Sequence, residues 1–223
     1  MKFAILIPAF QAEKTISKLL SDIAKITTTI QDEVITIVVN DASTDSTEKI
    51  ASNFPIILLK HETNKGKGAA LKTGFAFAIN QNVDAVLTID ADLQHEPIYI
   101  KQFINEFKKG NFDLIIGNRI NRFTNMPIHR QLSNLVTSFL VTAKTKIKIP
   151  DSQSGYRIIT TKILETISLN HDGFILETEL LINAARSKFK ISSIPISTIY
   201  SNNKSHMTNW KSTIEFIKLI ISE

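Results

Sequence analysis

Cysteine is absent from this 223-residue chain, which excludes a disulfide framework and any thiolate metal site. A bound metal would therefore have to rest on oxygen or imidazole ligands. No apolar run approaches the roughly 20 residues that span a bilayer, so the expectation is a soluble or at most peripheral protein, cytoplasmic, with the inner membrane face as its contact. The start, Met1 to Pro8, is too short and too soon interrupted for a signal-peptide core and reads as a buried first strand. Repeats, low-complexity tracts and a recognisable linker are also missing, which leaves one domain, 1–223, with a first half to 117 and an appended half from 118.

What is present is a large apolar fraction, 43%, enough for a sizeable core, and a net charge of +5 with a pI near 9.3. A basic surface favours phosphate-bearing partners, whether nucleotide, anionic lipid or nucleic acid. Short β-branched runs at Phe3–Pro8, Val34–Asn40, Ile56–Lys60, Val83–Asp90 and Phe112–Gly117 alternate with helical spacing over 14–28, 44–53, 67–80 and 97–109. That alternation predicts an α/β fold, a mostly parallel sheet flanked by helices. Further helices are expected over 128–145, 175–188 and from Trp210, and a strand around Ile191–Ile199.

The chemistry gathers where strands end. Thr88-Ile89-Asp90-Ala91-Asp92-Leu93-Gln94 runs from a buried strand into two carboxylates and an amide oxygen, a set suited to Mg²⁺ or Mn²⁺ with positions left for diphosphate oxygens. Open α/β sheets bind ligands at that edge. A helix-capping turn would use the same residues. Asn40-Asp41 similarly closes the second strand, placing Asp41 to accept from a base or ribose, while Ser43 or Thr44 is expected to cap the next helix. Asn64-Lys65-Gly66-Lys67-Gly68 forms a small-residue turn at a helix entrance, able to cradle phosphate through backbone N–H groups and the Lys67 ammonium, though without P-loop spacing.

In order and spacing, Ile7 to Ile16, Val39 to Thr47, Asn64 to Gly68 and Asp90 to Pro97 resemble glycosyltransferase family 2 with the GT-A fold. Gly117-Asn118-Arg119, Arg130 with Ser133, Asp151 to Arg157 and Gly173 to Glu179 look like its dolichyl-phosphate mannose and glucose synthase branch. The resemblance implies an inverting, metal-dependent hexosyltransferase. Pro8, Phe10, Glu13 and Asp41 would line the nucleoside pocket of a GDP- or UDP-hexose, with Lys67 and Ala91 also on the donor. Asp90, Asp92 and Gln94 would hold the metal, with Asp92 catalytic. Arg119 and Arg130 match arginines near the acceptor and sugar-phosphate groups of a polyprenyl-phosphate lipid.

The chain departs from the family pattern in having Phe10-Gln11 for tyrosine-asparagine, Asn40-Asp41 for paired acids and Ala42 for the usual glycine. A glycan hydroxyl is the alternative acceptor; it would need a base, for which Glu179 or Glu177 are candidates, Glu177 reading more simply as an acid at a helix start. His206 is a candidate for the diphosphate or metal, and His95 is given no role. The final helix, with Trp210, Ile214, Ile217 and Ile221, is expected to pack one face on the domain, with a membrane surface as its other use. Nucleotidyltransfer is the contrasting enzyme class, but Pro8 to Ala12 lacks its glycine-rich loop. A nucleic-acid-binding module would leave Asp90 and Asp92 unexplained, since carboxylates repel phosphate.

Overall fold

The structure, a computed structural model, describes residues 1–119, 128–199 and 210–221, without the side chains of 128–130 and 210–215. Arg130 as a side chain and His206 therefore lie outside the described residues.

Strands β1 (Lys2–Ala9), β2 (Glu33–Asn40), β3 (Ile57–Lys60), β4 (Ala85–Thr88), β5 (Leu114–Asn118), β6 (Arg157–Thr160) and β7 (Ile191–Pro195) form one sheet in the order β3-β2-β1-β4-β6-β5-β7. Alternate residues of β1 face opposite sides, as a pleated strand requires. Phe3, Ile5 and Ile7 meet α1 (Ile16–Thr27) and α4 (Tyr99–Lys108) through Ile16, Leu19, Ile23, Ile100 and Phe103. Ala4 and Leu6 face the other layer, where α3 (Lys67–Asn80) and α7 (Leu176–Arg186) bring Leu71, Phe75, Leu176 and Leu180. At Gly74 a β-carbon would lie 2.1 Å from a Leu6 methyl, so α3 lies closer to the sheet than any side chain there would allow.

The remaining helices are α2 (Thr47–Ala51), α5 (Ile128–Thr145), α6 (Thr161–Thr166) and α8 (Trp210–Ile221). The expected rhythm holds for α3 and α5 to the residue, and within a few residues elsewhere. Three elements depart from it: β6 and α6, where no element is expected, and α2. β6 runs antiparallel to both neighbours and inserts between β4 and β5, so the second half of the chain completes the sheet of the first. It escapes the strand signal because it is four residues long, begins with the buried Arg157 and passes straight into α6. The start of α2 is also shifted: neither Ser43 nor Thr44 caps it, and the residue before it, Ser46, makes no side-chain cap bond. α8 packs Phe216, Leu219 and Ile220 against the core.

Candidate active site at the carboxyl edge of the sheet

The ends of β1, β2 and β4 open into three loops, each containing one non-glycine residue in the left-handed region: Gln11 (φ 50°), Ala42 (φ 57°) and Leu93 (φ 62°). Such residues cost of order 1 kcal/mol or more and cluster at ligand sites. Ala42 stands where the family usually has glycine, and its φ gives the reason for that preference.

The first two loops are sewn together. Ser43 Oγ accepts from Gln11 N at 3.0 Å, Thr47 Oγ1 accepts from Ala12 N at 2.7 Å, and Asp45 Oδ2 accepts from Glu13 N at 3.1 Å. The hydroxyls expected to cap α2 thus fix the loop that carries Phe10 and Glu13. Phe10 is 47% exposed, Pro8 half-buried, and Glu13 exposed with its carboxylate on Ser46 N at 3.1 Å.

Asp41 is built into the loop that enters α3. Its carboxylate, 3% exposed, accepts from His61 Nδ1 at 2.6 Å, Lys65 N at 2.9 Å and Gly66 N at 2.8 Å, so the chain's own donors occupy both oxygens. These bonds shape the loop entering α3. The phosphate cradle at that loop is corrected by the same bonds: the N–H groups of Lys65 and Gly66 serve Asp41, and Ala69 N donates to Asp172 O at 3.0 Å. Gly66 and Gly68 are needed because the 172–173 backbone packs there; a β-carbon on Gly68 would sit 2.6 Å from it.

Lys67 turns instead into the site. Its Nζ lies 2.7 Å from Asp90 Oδ1 and 3.0 Å from Glu177 Oε2, with Phe174 over it at 5.7 Å. Burial alone would lower the Lys67 ammonium, but the two carboxylates reverse this and raise it. Burial likewise works against ionised Asp90, and Lys67, followed by more distant cations, holds its carboxyl below the ordinary value. Gly155 makes the approach possible, since a β-carbon there would lie 2.6 Å from Asp90 Oδ2. Thr88 Oγ1 donates to Gly155 O at 2.7 Å and pins that turn.

Asp92 is exposed at the mouth, with Oδ1 accepting from Gln94 N at 3.0 Å. Crowding by the protein and then the neighbouring Asp90 charge push its carboxyl up. Two carboxylates that repel each other beside an amide are a donor set a hard divalent ion relieves, and Mg²⁺ in particular is commonly held by one or two carboxylates plus substrate phosphates. No group of three or more acidic, histidine or cysteine side chains suited to a metal occurs among the described residues, so diphosphate oxygens would complete the shell. His95, 2% exposed, holds Nε2 4.0 Å from Asp90 Oδ2; burial keeps it neutral, lowering it to about 4. Sequence reasoning missed His95, and its adjacency to the acidic motif was the available signal.

On the other side, Arg119 forms a fork on Asp151: Nε to Oδ2 at 2.7 Å and Nη2 to Oδ1 at 2.8 Å, with Asp151 fully buried. The buried Arg157 donates to the carbonyls of Ser154 at 2.7 Å, Ser152 at 2.8 Å and Glu177 at 2.5 Å, tying the 151–155 segment to the start of α7. The two glutamates of α7 exchange the parts the sequence suggested. Glu179, 3% exposed, turns inward and accepts from Asn170 N at 2.9 Å and His171 N at 3.1 Å. Glu177, read as a helix-start acid, reaches the site through Lys67.

This arrangement can be set against known proteins. The chain is 32% identical, over 88% of its length and 85% of the relative's, to the UDP-N-acetylglucosamine–dolichyl-phosphate N-acetylglucosaminyltransferase of Methanococcus voltae. It is 29% identical over 84% of its length to the dolichol-phosphate mannosyltransferase of Pyrococcus furiosus, of which it spans 54%. Its fold matches the glucosyl-3-phosphoglycerate synthase of Mycobacterium tuberculosis, solved with Mn²⁺, UDP-glucose and phosphoglyceric acid, at a TM-score of 0.78 and 19% identity, covering 98% of this chain and 78% of that one. The model for glycosyl transferase family 2 matches residues 4–168, and with a strand-end Asp90-Ala91-Asp92 on a GT-A-like sheet the chain belongs to that family.

Proposed function

We propose that this protein transfers a hexose from a nucleotide sugar to the phosphate of a polyprenyl lipid with inversion at the anomeric carbon. The dolichyl-phosphate relatives support the substrate class. One observation on this chain carries the choice of acceptor: both acids that could deprotonate a sugar hydroxyl are committed, Glu179 to the 170–171 backbone and Glu177 to Lys67. A lipid phosphate is already ionised at neutral pH and needs no base, whereas a hydroxyl does.

In this reading Asp90, Asp92 and Gln94 hold Mg²⁺ or Mn²⁺, which when bound supplies positive charge to the departing diphosphate. Lys67 anchors Asp90 and Glu177 so that the acidic rim keeps its shape before and after donor entry. The β1–α1 loop, with Pro8, Phe10 and Glu13, forms the nucleoside wall, held by its bonds to Ser43, Asp45 and Thr47. Asp41 supports that wall from behind, and Ala91 lets the donor approach between the two acids. Arg119, its Nε–Nη2 edge held on Asp151, and Arg130 at the start of α5 supply guanidinium charge for phosphate.

The test is incubation with labelled GDP- or UDP-hexose, Mn²⁺ and a polyprenyl phosphate, followed by solvent extraction. Label should enter the organic phase in an acid-labile product. Label that reaches only a water-soluble glycan, or no acceptor with either donor, contradicts the reading.

A further inference from the structure

α5 turns a continuous apolar stripe outward. Its inward side carries buried Val141 and, one and two turns before it, the buried polar Ser138 and Asn134, with Ser138 Oγ accepting from Ser152 N at 2.9 Å. Its outward side carries Leu132 (61% exposed), Leu135 (47%), Val136 (50%) and Phe139 (71%). The spacing i, i+3, i+4, i+7 aligns these four on one face, continued by exposed Ala143. A soluble helix ordinarily places such a stripe against its core, as α1 and α4 do here. Scattered exposed apolar residues need no explanation, but a continuous helical stripe marks an interaction surface.

The charge around the stripe indicates what covers it. Between residues 120 and 150 the sequence holds Arg122, Arg130, Lys144, Lys146 and Lys148 and not one Asp or Glu, while Arg119 just before is paired with Asp151 just after. An apolar helix face within a segment of purely basic charge is complementary to an anionic bilayer, where the apolar residues enter the acyl boundary and the cations meet headgroup phosphates. A second copy of the same face would bring like charge against like charge. Position agrees as well. Through Ser138 and Ser152, the inner side of α5 is bonded to the segment whose Asp151 holds Arg119, so a bilayer against the outer side lies one helix diameter from the candidate acceptor site. Among the described residues no helix is long and apolar enough to cross a membrane, so contact would be through such a face.

We infer that the outward face of α5, through Leu132, Leu135, Val136 and Phe139, seats the protein on an anionic lipid surface and so presents the site to an acceptor phosphate at headgroup level. This rests on the lipid-acceptor reading for its purpose but not for its test. The full-length protein is sedimented with vesicles of phosphatidylglycerol and phosphatidylcholine, and compared with the double variant L135Q/F139Q, whose exposed positions leave the fold intact by circular dichroism. The wild type should partition onto anionic vesicles, and the double variant should partition on the order of tenfold or more weakly, given the area two such side chains bury. K146Q/K148Q should weaken binding by roughly fivefold per lysine, an effect that salt should mask. Equal partition of wild type and L135Q/F139Q overturns the proposal, as does failure of the wild type to bind, or a vesicle-free dimer that L135Q/F139Q dissociates.

A second arm separates this outcome from the function itself. L135Q/F139Q should keep wild-type transfer to a water-soluble short-chain polyprenyl phosphate while losing transfer to the long-chain lipid in vesicles. A wild type that binds vesicles yet uses neither acceptor refutes the lipid-phosphate acceptor and leaves the membrane face standing; equal loss on both acceptors counts against the membrane face.

Discussion

Two acidic strand ends, β2 with Asp41 and β4 with Asp90 and Asp92, have the same sequence appearance and opposite physical situations. Asp41 meets two backbone N–H groups and the His61 ring, so its charge is neutralised by donors the fold always provides. Asp90 meets an ammonium that it shares with Glu177 and a neutral imidazole 4.0 Å away, while Asp92 faces solvent and its own neighbour's charge. One acid holds a loop; in the proposed reading the other two are left for a cation. Counting carboxylates does not tell these two strand ends apart, whereas asking which donors face each one does.

The strongest way to break this contrast is Asp92→Ala. Transfer should fall by roughly 10²–10³-fold or more, on the scale of losing a principal electrostatic contact in the transition state, with an unchanged melting temperature. A variant that turns over normally would remove the metal assignment. Asp41→Ala should behave in reverse, losing about 3 kcal/mol in denaturant unfolding because three donors lose their acceptor in a buried place. If it unfolds like the wild type, Asp41 is not the loop anchor described above.

pH sharpens the same comparison through His95. Its folded value near 4 lies below the usual 6.5, so between those values the unfolded chain binds more protons than the native one. Its stabilising share is whole above pH 6.5 and lost progressively as pH falls toward 4. Over that window stability should drop by on the order of 2–3 kcal/mol, and His95→Gln should flatten the slope in urea titrations at matched ionic strength. The smallest effect expected is Ala42→Gly, a gain of about 1 kcal/mol, since glycine adopts φ 57° without the β-carbon penalty.

How much of this was legible in the sequence follows from how local each determinant is. α3 is readable over 67–80 because its entry glycines and its helical spacing act within the segment. The strand end that carries Asp90, Asp92 and Gln94 is readable because a β-branched strand runs directly into them. The partition of work between Glu177 and Glu179 is not, because two residues apart on a helix they face different surroundings, and only the docking of α7 decides which one meets Lys67. β6 is hidden by its length and its arginine, whose partners are carbonyls 3, 5 and 20 residues away. The α5 pattern gives the helix but not its orientation: Leu132, Leu135, Val136 and Phe139 have the spacing of a core face, and the packing of Asn134 and Ser138 turns that face outward.

The most direct measurement is a calorimetric titration of the nucleoside diphosphate that the enzyme's own donor yields, with and without Mn²⁺, on wild type and Asp92→Asn. The account predicts that Mn²⁺ tightens binding at least about tenfold, or about 1.4 kcal/mol, in the wild type and has no such effect in Asp92→Asn. Equal affinity with and without the ion, or full Mn²⁺ enhancement in the variant, would contradict it.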